Sequence, residues 1–166
     1  MLEPGCGPAL LAKFLAKGSS YRGFDGNKIF VNYDQKRHLQ VLEGDVFDFT
    51  NYSPADVVVV CDVLHHLPLA KRGEFIRYCW QTVKKKLIIC DPWREKIPEK
   101  GWHSWLKKWA FTYSELDGTN RPKLLEVWTK KELREKMEKG FGVIPLNISR
   151  TIKEIGEDFI VVYEKI

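Results

Sequence analysis

The sequence LEPGCGPA, residues 2–9, decides the fold class of this 166-residue chain. An acidic residue followed by Gly-x-Gly predicts that a strand ends, the backbone turns tightly and a helix begins. Glycine lets a ligand approach the backbone closely, and the first turn of a helix offers N–H groups to it. We therefore expect the chain to begin inside a ligand-binding site.

Strand and helix signals alternate after this turn. A first helix is predicted from Pro8 to Gly18, a strand over residues 21–24, a second helix over about 28–36 and a third strand over 38–43. The apolar positions that define the two helices are Leu10, Leu11, Phe14 and Leu15 in the first, and Ile29, Phe30 and Tyr33, expected to face inward, in the second.

The stretch ADVVVVC, residues 55–61, is the clearest strand of the chain. Its β-branched run without polar alternation is typical of a central parallel strand that is buried on both faces. A helix over about residues 67–83 and a strand over 87–90 follow. This alternation predicts a doubly wound α/β sheet of mostly parallel strands.

The last part of the chain predicts an antiparallel hairpin. Residues 129–132 form a capping box that starts a helix to about Lys139. Strands over 143–148 and 159–163 are joined by about ten residues, too few for the helix that a parallel crossover requires. We predict a single domain over residues 1–166, with a Trp-rich insertion at about 92–128 where the alternation breaks.

The composition is that of an ordinary globular protein, with 44% hydrophobic and 30% charged residues. No apolar run is long enough to span a bilayer, and the N-terminus lacks the basic-then-apolar pattern of a signal peptide. These features predict a cytoplasmic protein. The formal charge of +5 permits an anionic partner without requiring one.

The four cysteines form no Cys-x-x-Cys pair and show no spacing of a disulfide framework, so we expect buried reduced thiols. Cys6, Cys61 and Cys90 fall at predicted strand ends, with His65 and His66 shortly after the second of them. A metal site is the alternative there. Small apolar strand residues explain the same pattern, and we predict no metal.

Acidic residues lie at the ends of four predicted strands: Glu3, Asp25, Asp45 and Asp62. Ligands of a doubly wound sheet bind beyond the carboxyl ends of its strands, near the switch in strand order. Carboxylates at this edge suit a ligand that carries ribose hydroxyls and amines. Taken singly, each is equally explained as a turn residue or as a partner of a helix dipole.

Four motifs in order carry a family resemblance: LEPGCG at 2–7, GFD at 23–25, EGDV at 43–46 and CDVLHHLP at 61–68. Each is weak alone. Together they resemble the class I S-adenosylmethionine-dependent methyltransferases across essentially the whole chain. The resemblance implies a seven-stranded sheet in the order 3-2-1-4-5-7-6 and S-adenosylmethionine as the cofactor.

The resemblance also implies roles for individual residues. It implies that the methionine part of the cofactor is bordered by Glu3, Gly5, Cys6 and Gly7, and that its amino group is contacted by Asp62 and the Cys61 carbonyl. Asp25, with Gly26 beside it, would accept from both ribose hydroxyls. Asp45 would accept from the adenine amino group, and the Val46 N–H would donate to an adenine ring nitrogen.

Two positions depart from the family pattern. Pro8-Ala9 stands where a third small residue is usual, and Gly26 stands where an apolar side chain often stacks on adenine. Adenine packing must then come from another side chain, for which Phe24, Asn27 and Phe47 are the candidates.

A nicotinamide-dinucleotide-binding oxidoreductase is the nearest alternative fold. Its fingerprint is Gly-x-Gly-x-x-Gly, followed about twenty residues later by an acid. The third glycine position is Leu10 here, whereas Asp25 fits both families. The missing glycine and the terminal hairpin favour the methyltransferase.

The chemistry requires little of the protein, because methyl transfer from a sulfonium is an in-line displacement that mainly needs positioning and desolvation. His65 and His66 follow the fourth strand and are the candidate general bases. The stretch after this strand lacks the Asn/Asp-Pro-Pro-Tyr/Trp form of enzymes that methylate amide or exocyclic nitrogens; Asp91-Pro92-Trp93 is similar but follows the fifth strand. The His-His-Leu form at residues 65–67 resembles instead that of family members acting on small molecules or lipids, and the resemblance implies such an acceptor.

Trp102, Trp105 and Trp109 recur at helical spacing within the insertion, with lysines on another face. Core packing is the commonest reason for such a stripe. The alternatives are a lid over the active site and a helix resting on a membrane interface. Nucleic acid is not favoured as a partner, because the chain carries no recognition motif.

The start of the chain leaves only a stub of the central strand, and the helix that usually precedes it in the family is missing. Either the chain is an incomplete version of a longer protein, or a second copy, a partner chain or the insertion covers the site. This start and Gly26 motivate the other function we consider, a catalytically silent cofactor-binding subunit.

Overall fold

The computed structural model describes residues 1–93 and 127–165. The strands are β1 (Leu2–Pro4), β2 (Arg22–Asp25), β3 (Val41–Glu43), β4 (Ala55–Cys61), β5 (Val83–Pro92), β6 (Ser149–Ile155) and β7 (Asp158–Glu164). The α-helices are α1 (Lys28–Lys36), α2 (Leu69–Thr82) and α3 (Lys130–Glu138). Short 3₁₀ turns cover Leu10–Phe14, Phe49–Asn51, Leu64–His66 and Gly140–Gly142.

The seven strands form one sheet in the order β3-β2-β1-β4-β5-β7-β6. Strands β1 to β5 pair in parallel, whereas β7 pairs antiparallel with both β5 and β6. The predicted fold class, strand order and terminal hairpin are thereby confirmed. The classic dinucleotide-binding sheet has the order 3-2-1-4-5-6, without an antiparallel strand inserted next to the fifth, and this argues against the oxidoreductase alternative.

The main core lies on the central strands. Val58 and Val60 of β4 and Leu87 and Ile89 of β5 are fully buried, and helix α2 packs on this face of the sheet. The run of valines predicted this burial because β-branched side chains without polar alternation suit a strand covered on both faces. Because β1 pairs in parallel with β2 and with β4, the loops after these three strands extend from the same edge of the sheet.

The predicted first helix is wrong. Only a 3₁₀ turn forms over Leu10–Phe14, and none of its residues is buried. Ala9 adopts a left-handed conformation at φ 45°, which interrupts the helical path directly after the glycine turn. Leu10 and Phe14, two of the apolar positions that defined the predicted helix, are 52% and 81% exposed.

Helix α1 forms where predicted, but its buried face is not the predicted one. Ile29 and Tyr33 are 74% and 51% exposed, while Val31 and Asp34 face the sheet. Burial of Asp34 is tolerated because its carboxylate pairs with Arg37 at 3.2 Å. The inward face of α1 therefore carries Val31 and an acid paired with Arg37, and the apolar positions Ile29 and Tyr33 lie outside it.

The predicted strand over 143–148 is also wrong, because β6 begins at Ser149. β6 is an edge strand whose residues are mostly exposed, so it carries no apolar run. Ile144 is instead buried beside Gly140, where its N–H donates to the Gly140 carbonyl at 2.9 Å and the chain turns after α3. The predicted capping box is present at the start of α3.

Two further predictions concern a membrane. Among the described helices, none has the length and apolar character needed to cross a bilayer. Trp102, Trp105 and Trp109 lie outside the described residues, and most of the insertion lies there with them.

Candidate functional site

A cavity of about 540 Å³ opens at the carboxyl ends of β1, β2 and β4. This volume lies within the range of small-molecule and cofactor sites. Seven of the twelve predicted site residues line it: Gly5, Gly7, Asp25, Gly26, Val46, Asp62 and His66. Five other residues complete the wall: Asn27, Lys28, Ile29, Phe30 and Val63.

The glycine turn forms one wall through its backbone conformation. Gly5 has φ +68°, and a Cβ built on it would lie 3.0 Å from Val63 Cγ2. Only glycine therefore allows the turn to pack on the loop after β4. The N–H groups of Gly5 and Cys6 both donate to the Phe24 carbonyl, at 2.8 and 3.2 Å. Because neighbouring strand β2 uses these donors, the turn is not built as a phosphate cradle.

Asp25 is held in place by two backbone donors. Its Oδ2 accepts from the Gly7 N–H at 2.8 Å, and its Oδ1 accepts from the Asn27 N–H at 2.7 Å. Each carboxylate oxygen keeps acceptor capacity beyond these bonds. The side chain is half-buried on the cavity wall, so its carboxylate is oriented before any ligand arrives.

Glu3 lies behind the turn and does not line the cavity. It is buried and accepts a hydrogen bond from the Tyr21 hydroxyl at 2.6 Å. Burial raises the pKa of Glu3 to about 7, more than the tyrosine hydrogen bond lowers it. The buried Cys6 thiol lies in the same cluster, where burial raises its pKa to about 12.

Asp45 and Val46 are neighbours in the chain, but only Val46 lines the cavity. Val46 lines the cavity, whereas Asp45 is exposed and its carboxylate accepts from the Phe47 N–H at 2.9 Å. This bond closes a local turn that holds the segment after β3. The Val46 carbonyl accepts from the Tyr52 hydroxyl at 2.7 Å, which fixes the orientation of the Val46 peptide.

Asp62 marks the opposite wall. It adopts a left-handed conformation at φ 56°, and its N–H donates to the Cys90 carbonyl at 3.0 Å. The Cys61 thiol lies 3.8 Å from Asp62 Oδ2. Cys61 itself does not line the cavity, so any contribution to a ligand there comes through the backbone of this turn.

The two histidines occupy different environments. His66 lines the cavity, whereas His65 is buried and its Nδ1 lies 3.2 Å from Asp91 Oδ1. The two rings are in contact, with centroids 4.0 Å apart. Of the pair, His66 is therefore the one with access to a bound molecule.

Asp91 is a site-supporting residue that the sequence prediction missed. It is buried one residue before the end of β5, and its Oδ1 also accepts from the Leu64 N–H at 3.1 Å. Among the described residues, Asp91 Oδ2 has no hydrogen-bond partner. The sequence carries a signal for it, since Asp91 is an acid near a strand end like Asp25 and Asp62.

The arrangement fits S-adenosylmethionine. A carboxylate that backbone donors hold at the cavity wall suits a ribose diol, and the turn offers no set of N–H groups for a phosphate. The described residues contain no cluster of three or more side chains suited to a metal ion. The wall therefore matches a cofactor with hydroxyls and a cationic amine better than a dinucleotide phosphate.

Comparison with known proteins agrees with this arrangement. The family described as "Methyltransferase domain" matches residues 2–90, and the chain belongs to this family. The resemblance to class I S-adenosylmethionine-dependent methyltransferases is confirmed, and with it S-adenosylmethionine as the cofactor of the class. No curated protein sequence matches the chain.

Solved structures share the fold over nearly the whole chain. The methyltransferase domain of bacterial CtHen1 is 18% identical, with a TM-score of 0.66 over 99% of this chain and 89% of that one. A SAM-dependent methyltransferase from Archaeoglobus fulgidus is 13% identical, with a TM-score of 0.65 over 99% and 85%. Magnesium protoporphyrin IX methyltransferase from Synechocystis PCC 6803 with bound SAH is 16% identical, with a TM-score of 0.62 over 99% and 73%.

Proposed function

We propose that this chain transfers a methyl group from S-adenosylmethionine to a small-molecule or lipid-like acceptor. The observation that carries the proposal is the cavity at the ends of β1, β2 and β4, with Asp25 on one wall and Asp62 and His66 on the other. The bound cofactor supplies an electrophilic methyl group, already activated as part of a sulfonium.

Different residues of the cavity wall contact different parts of the cofactor. Asp25 accepts hydrogen bonds from the ribose hydroxyls, because its carboxylate is already oriented by Gly7 and Asn27. Val46 packs against the adenine, and its N–H is the donor to the ring. Asp62 on the opposite wall balances the charge of the methionine amino group.

Three predicted contacts take indirect roles in this proposal. Glu3 and Cys6 support the glycine turn from behind, since neither lines the cavity. Asp45 holds the turn that presents Val46, through its bond to the Phe47 N–H. The apolar side chain that the family often has at the position of Gly26 is missing, and its packing against the adenine is supplied by Asn27 and Val46, which line the same cavity.

His66 is the proposed general base. Its imidazole lines the cavity, and an imidazole near neutral pH can take the proton that the acceptor atom loses as its bond to the methyl group forms. His65 acts as a positioning residue, because it is buried and its Nδ1 faces Asp91. Asp91 also accepts from Leu64, so it holds the Leu64–His66 turn from which His66 reaches the cavity.

An apolar acceptor is supported by the rim of the cavity. Ile29 is 74% exposed there, and Phe30 lines the same wall. Lys28 is the cationic residue on this wall, although it also pairs with Glu43 at 3.4 Å. Apolar groups with a few polar ones are typical of small-molecule sites. The rim favours an acceptor with an apolar body over a polyanion.

The proposal is tested by titration calorimetry followed by an activity screen. The full chain is titrated with S-adenosylmethionine, S-adenosylhomocysteine and NAD⁺, and we expect binding of the first two alone. Methyl-labelled S-adenosylmethionine is then incubated with a panel of phenols, carboxylic acids, amines and lipid extracts. Binding without turnover on any acceptor would favour the silent subunit, and preferential binding of NAD⁺ would contradict the proposal.

A further inference from the structure

Cys61 and Cys90 occupy matching positions on neighbouring strands. They are paired in the parallel register of β4 and β5, close to the carboxyl ends of both strands. Paired residues of adjacent strands point to the same face of a sheet and lie about 5 Å apart between Cα atoms. That separation falls within the range over which two cysteines form a disulfide.

The two thiols interact and differ in acidity. Each of the two thiols is half-buried. The proximity of the two thiols raises the pKa of Cys61 well above its usual range and lowers the pKa of Cys90; burial raises the pKa of Cys61 further. Cys6 and Cys79, the other two cysteines of the chain, are buried apart from this pair. Cys90 is therefore the more nucleophilic partner.

The pair is connected to the cavity through Asp62. Asp62 follows Cys61 directly, lines the cavity and donates its N–H to the Cys90 carbonyl at 3.0 Å. The Cys61 thiol also lies 3.8 Å from the Asp62 carboxylate. A covalent bond between the two sulfurs removes this thiol from Asp62 and shifts the strand ends that carry it.

We propose that Cys61 and Cys90 are a reversible oxidation site, which forms a disulfide on reaction with a peroxide and thereby weakens cofactor binding at Asp62. The effect on binding rests on the proposed function; the reaction of the thiols does not. The reacting atoms are the two sulfurs, and the oxidant is a hydroperoxide such as hydrogen peroxide.

The reaction balances in two steps. The Cys90 thiolate attacks one peroxide oxygen, the O–O bond breaks, and the departing hydroxide takes a proton to leave as water, so that Cys90 becomes a sulfenic acid. The Cys61 sulfur then attacks the Cys90 sulfur, the S–O bond breaks, and a second water leaves with the Cys61 proton. Two thiols are oxidised to one disulfide and one peroxide is reduced to two waters. A dithiol reductant reverses the change.

The chemical test uses the reduced full chain treated with one equivalent of hydrogen peroxide. We expect intact mass to fall by two hydrogen atoms, and peptide mapping to show Cys61 linked to Cys90. Cys79→Ala is the matched control and should still form the link. Cys61→Ser should instead accumulate a sulfenic acid at Cys90, trapped by dimedone. A link to Cys6 or Cys79, a link between two chains, or no link at all would overturn the proposal.

The functional test measures S-adenosylhomocysteine binding before and after oxidation. We expect oxidation to weaken binding about threefold to tenfold, the effect of one lost hydrogen bond, and dithiothreitol to restore it. Binding by Cys90→Ser should not respond to peroxide. Equal affinity of the oxidised and reduced chains would overturn the link to the site. A reduced chain that does not bind at all would contradict the proposed function instead, while the peptide map would still decide whether the pair reacts.

Discussion

Asp25 Oδ2 accepts a hydrogen bond from the Gly7 N–H at 2.8 Å, so the carboxylate at the end of β2 is tied to the glycine turn after β1. The same side chain holds the Asn27 N–H at the start of α1. One carboxylate thus joins two walls of the cavity and is oriented by both. This makes Asp25 a structural residue as well as a proposed ribose ligand.

Replacing Asp25 should separate these two roles. In Asp25→Asn the amide oxygen still accepts one backbone N–H but the charge is lost, and we expect S-adenosylhomocysteine to bind about tenfold to a hundredfold more weakly. Asp25→Ala should also lower the free energy of unfolding, because two N–H groups lose their partner. Equilibrium dialysis and urea denaturation measure the two effects. Asp56→Asn, exposed near the other end of β4, is the control and should change neither binding nor fold.

Glu3 predicts how stability depends on pH. Its pKa is raised to about 7 by burial, whereas an unfolded glutamate ionises near 4.3. Between these values the folded state binds more protons, so the free energy of unfolding should fall as pH rises, by about 3 kcal/mol across the window. Glu3→Gln should lose this slope, because glutamine does not ionise. A slope that persists in Glu3→Gln would mean that another group causes it.

The measurement for Glu3 is urea denaturation from pH 4.5 to 8. Glu43→Gln, an exposed strand-end acid paired with Lys28, is the matched control and should keep the slope of the original chain. Parallel pH profiles for Glu3→Gln and the original chain would show that Glu3 is ionised in the folded state throughout.

His66 should matter for turnover and not for cofactor affinity. Loss of a general base costs about a hundredfold or more in kcat. We expect His66→Asn to lower kcat on an identified acceptor by about a hundredfold, with an unchanged Kd for S-adenosylhomocysteine. His38→Asn is the control, since His38 is exposed outside the cavity. An equal loss of cofactor affinity would place His66 in the cofactor site rather than beside the acceptor.

Gly5 should be intolerant of a side chain for two separable reasons. A Cβ would meet Val63 Cγ2 at 3.0 Å, and φ +68° is unfavourable for any residue but glycine. We expect Gly5→Ala to lower the free energy of unfolding by about 2–4 kcal/mol. Gly156→Ala has a similar φ of +62° with no atom within 4 Å, and should cost only about 1 kcal/mol.

A double-mutant cycle isolates the contact between Gly5 and Val63. Removing the two γ-methyls in Val63→Ala creates space, so Gly5→Ala should be less destabilising in that background. Additive effects would mean that backbone strain alone accounts for the loss, and that the turn does not depend on packing against the loop after β4.

The central fold could be predicted because its signals are local. The valine run of β4 and the glycines after β1 each define their own structure, and the ten-residue limit on the last connection excluded a parallel crossover. The edge strand β6 could not be placed, because exposed residues such as Lys153 and Glu154 carry no apolar periodicity. A strand was predicted over residues 143–148 because they include the apolar Ile144. An apolar residue that is buried in a turn cannot be distinguished by sequence from one that is buried in a strand.

The part of the site that strand-end acids form could be predicted from the sequence. Asp25 and Asp62 line the cavity because parallel strands bring their carboxyl ends to one edge. The division between His65 and His66 could not be read from the sequence, because it depends on which ring faces Asp91, twenty-six residues away along the chain. Ile29 was expected in the core because of the apolar spacing of its helix, whereas the structure buries Val31 and Asp34 there.

The most direct test is a crystal structure of the full chain with S-adenosylhomocysteine. The account predicts the ribose hydroxyls within hydrogen-bond distance of the Asp25 carboxylate, the adenine beside Val46, and the amino group of the homocysteine part facing Asp62. A ligand bound at another place, or bound in this cavity without a contact to Asp25, would contradict the account.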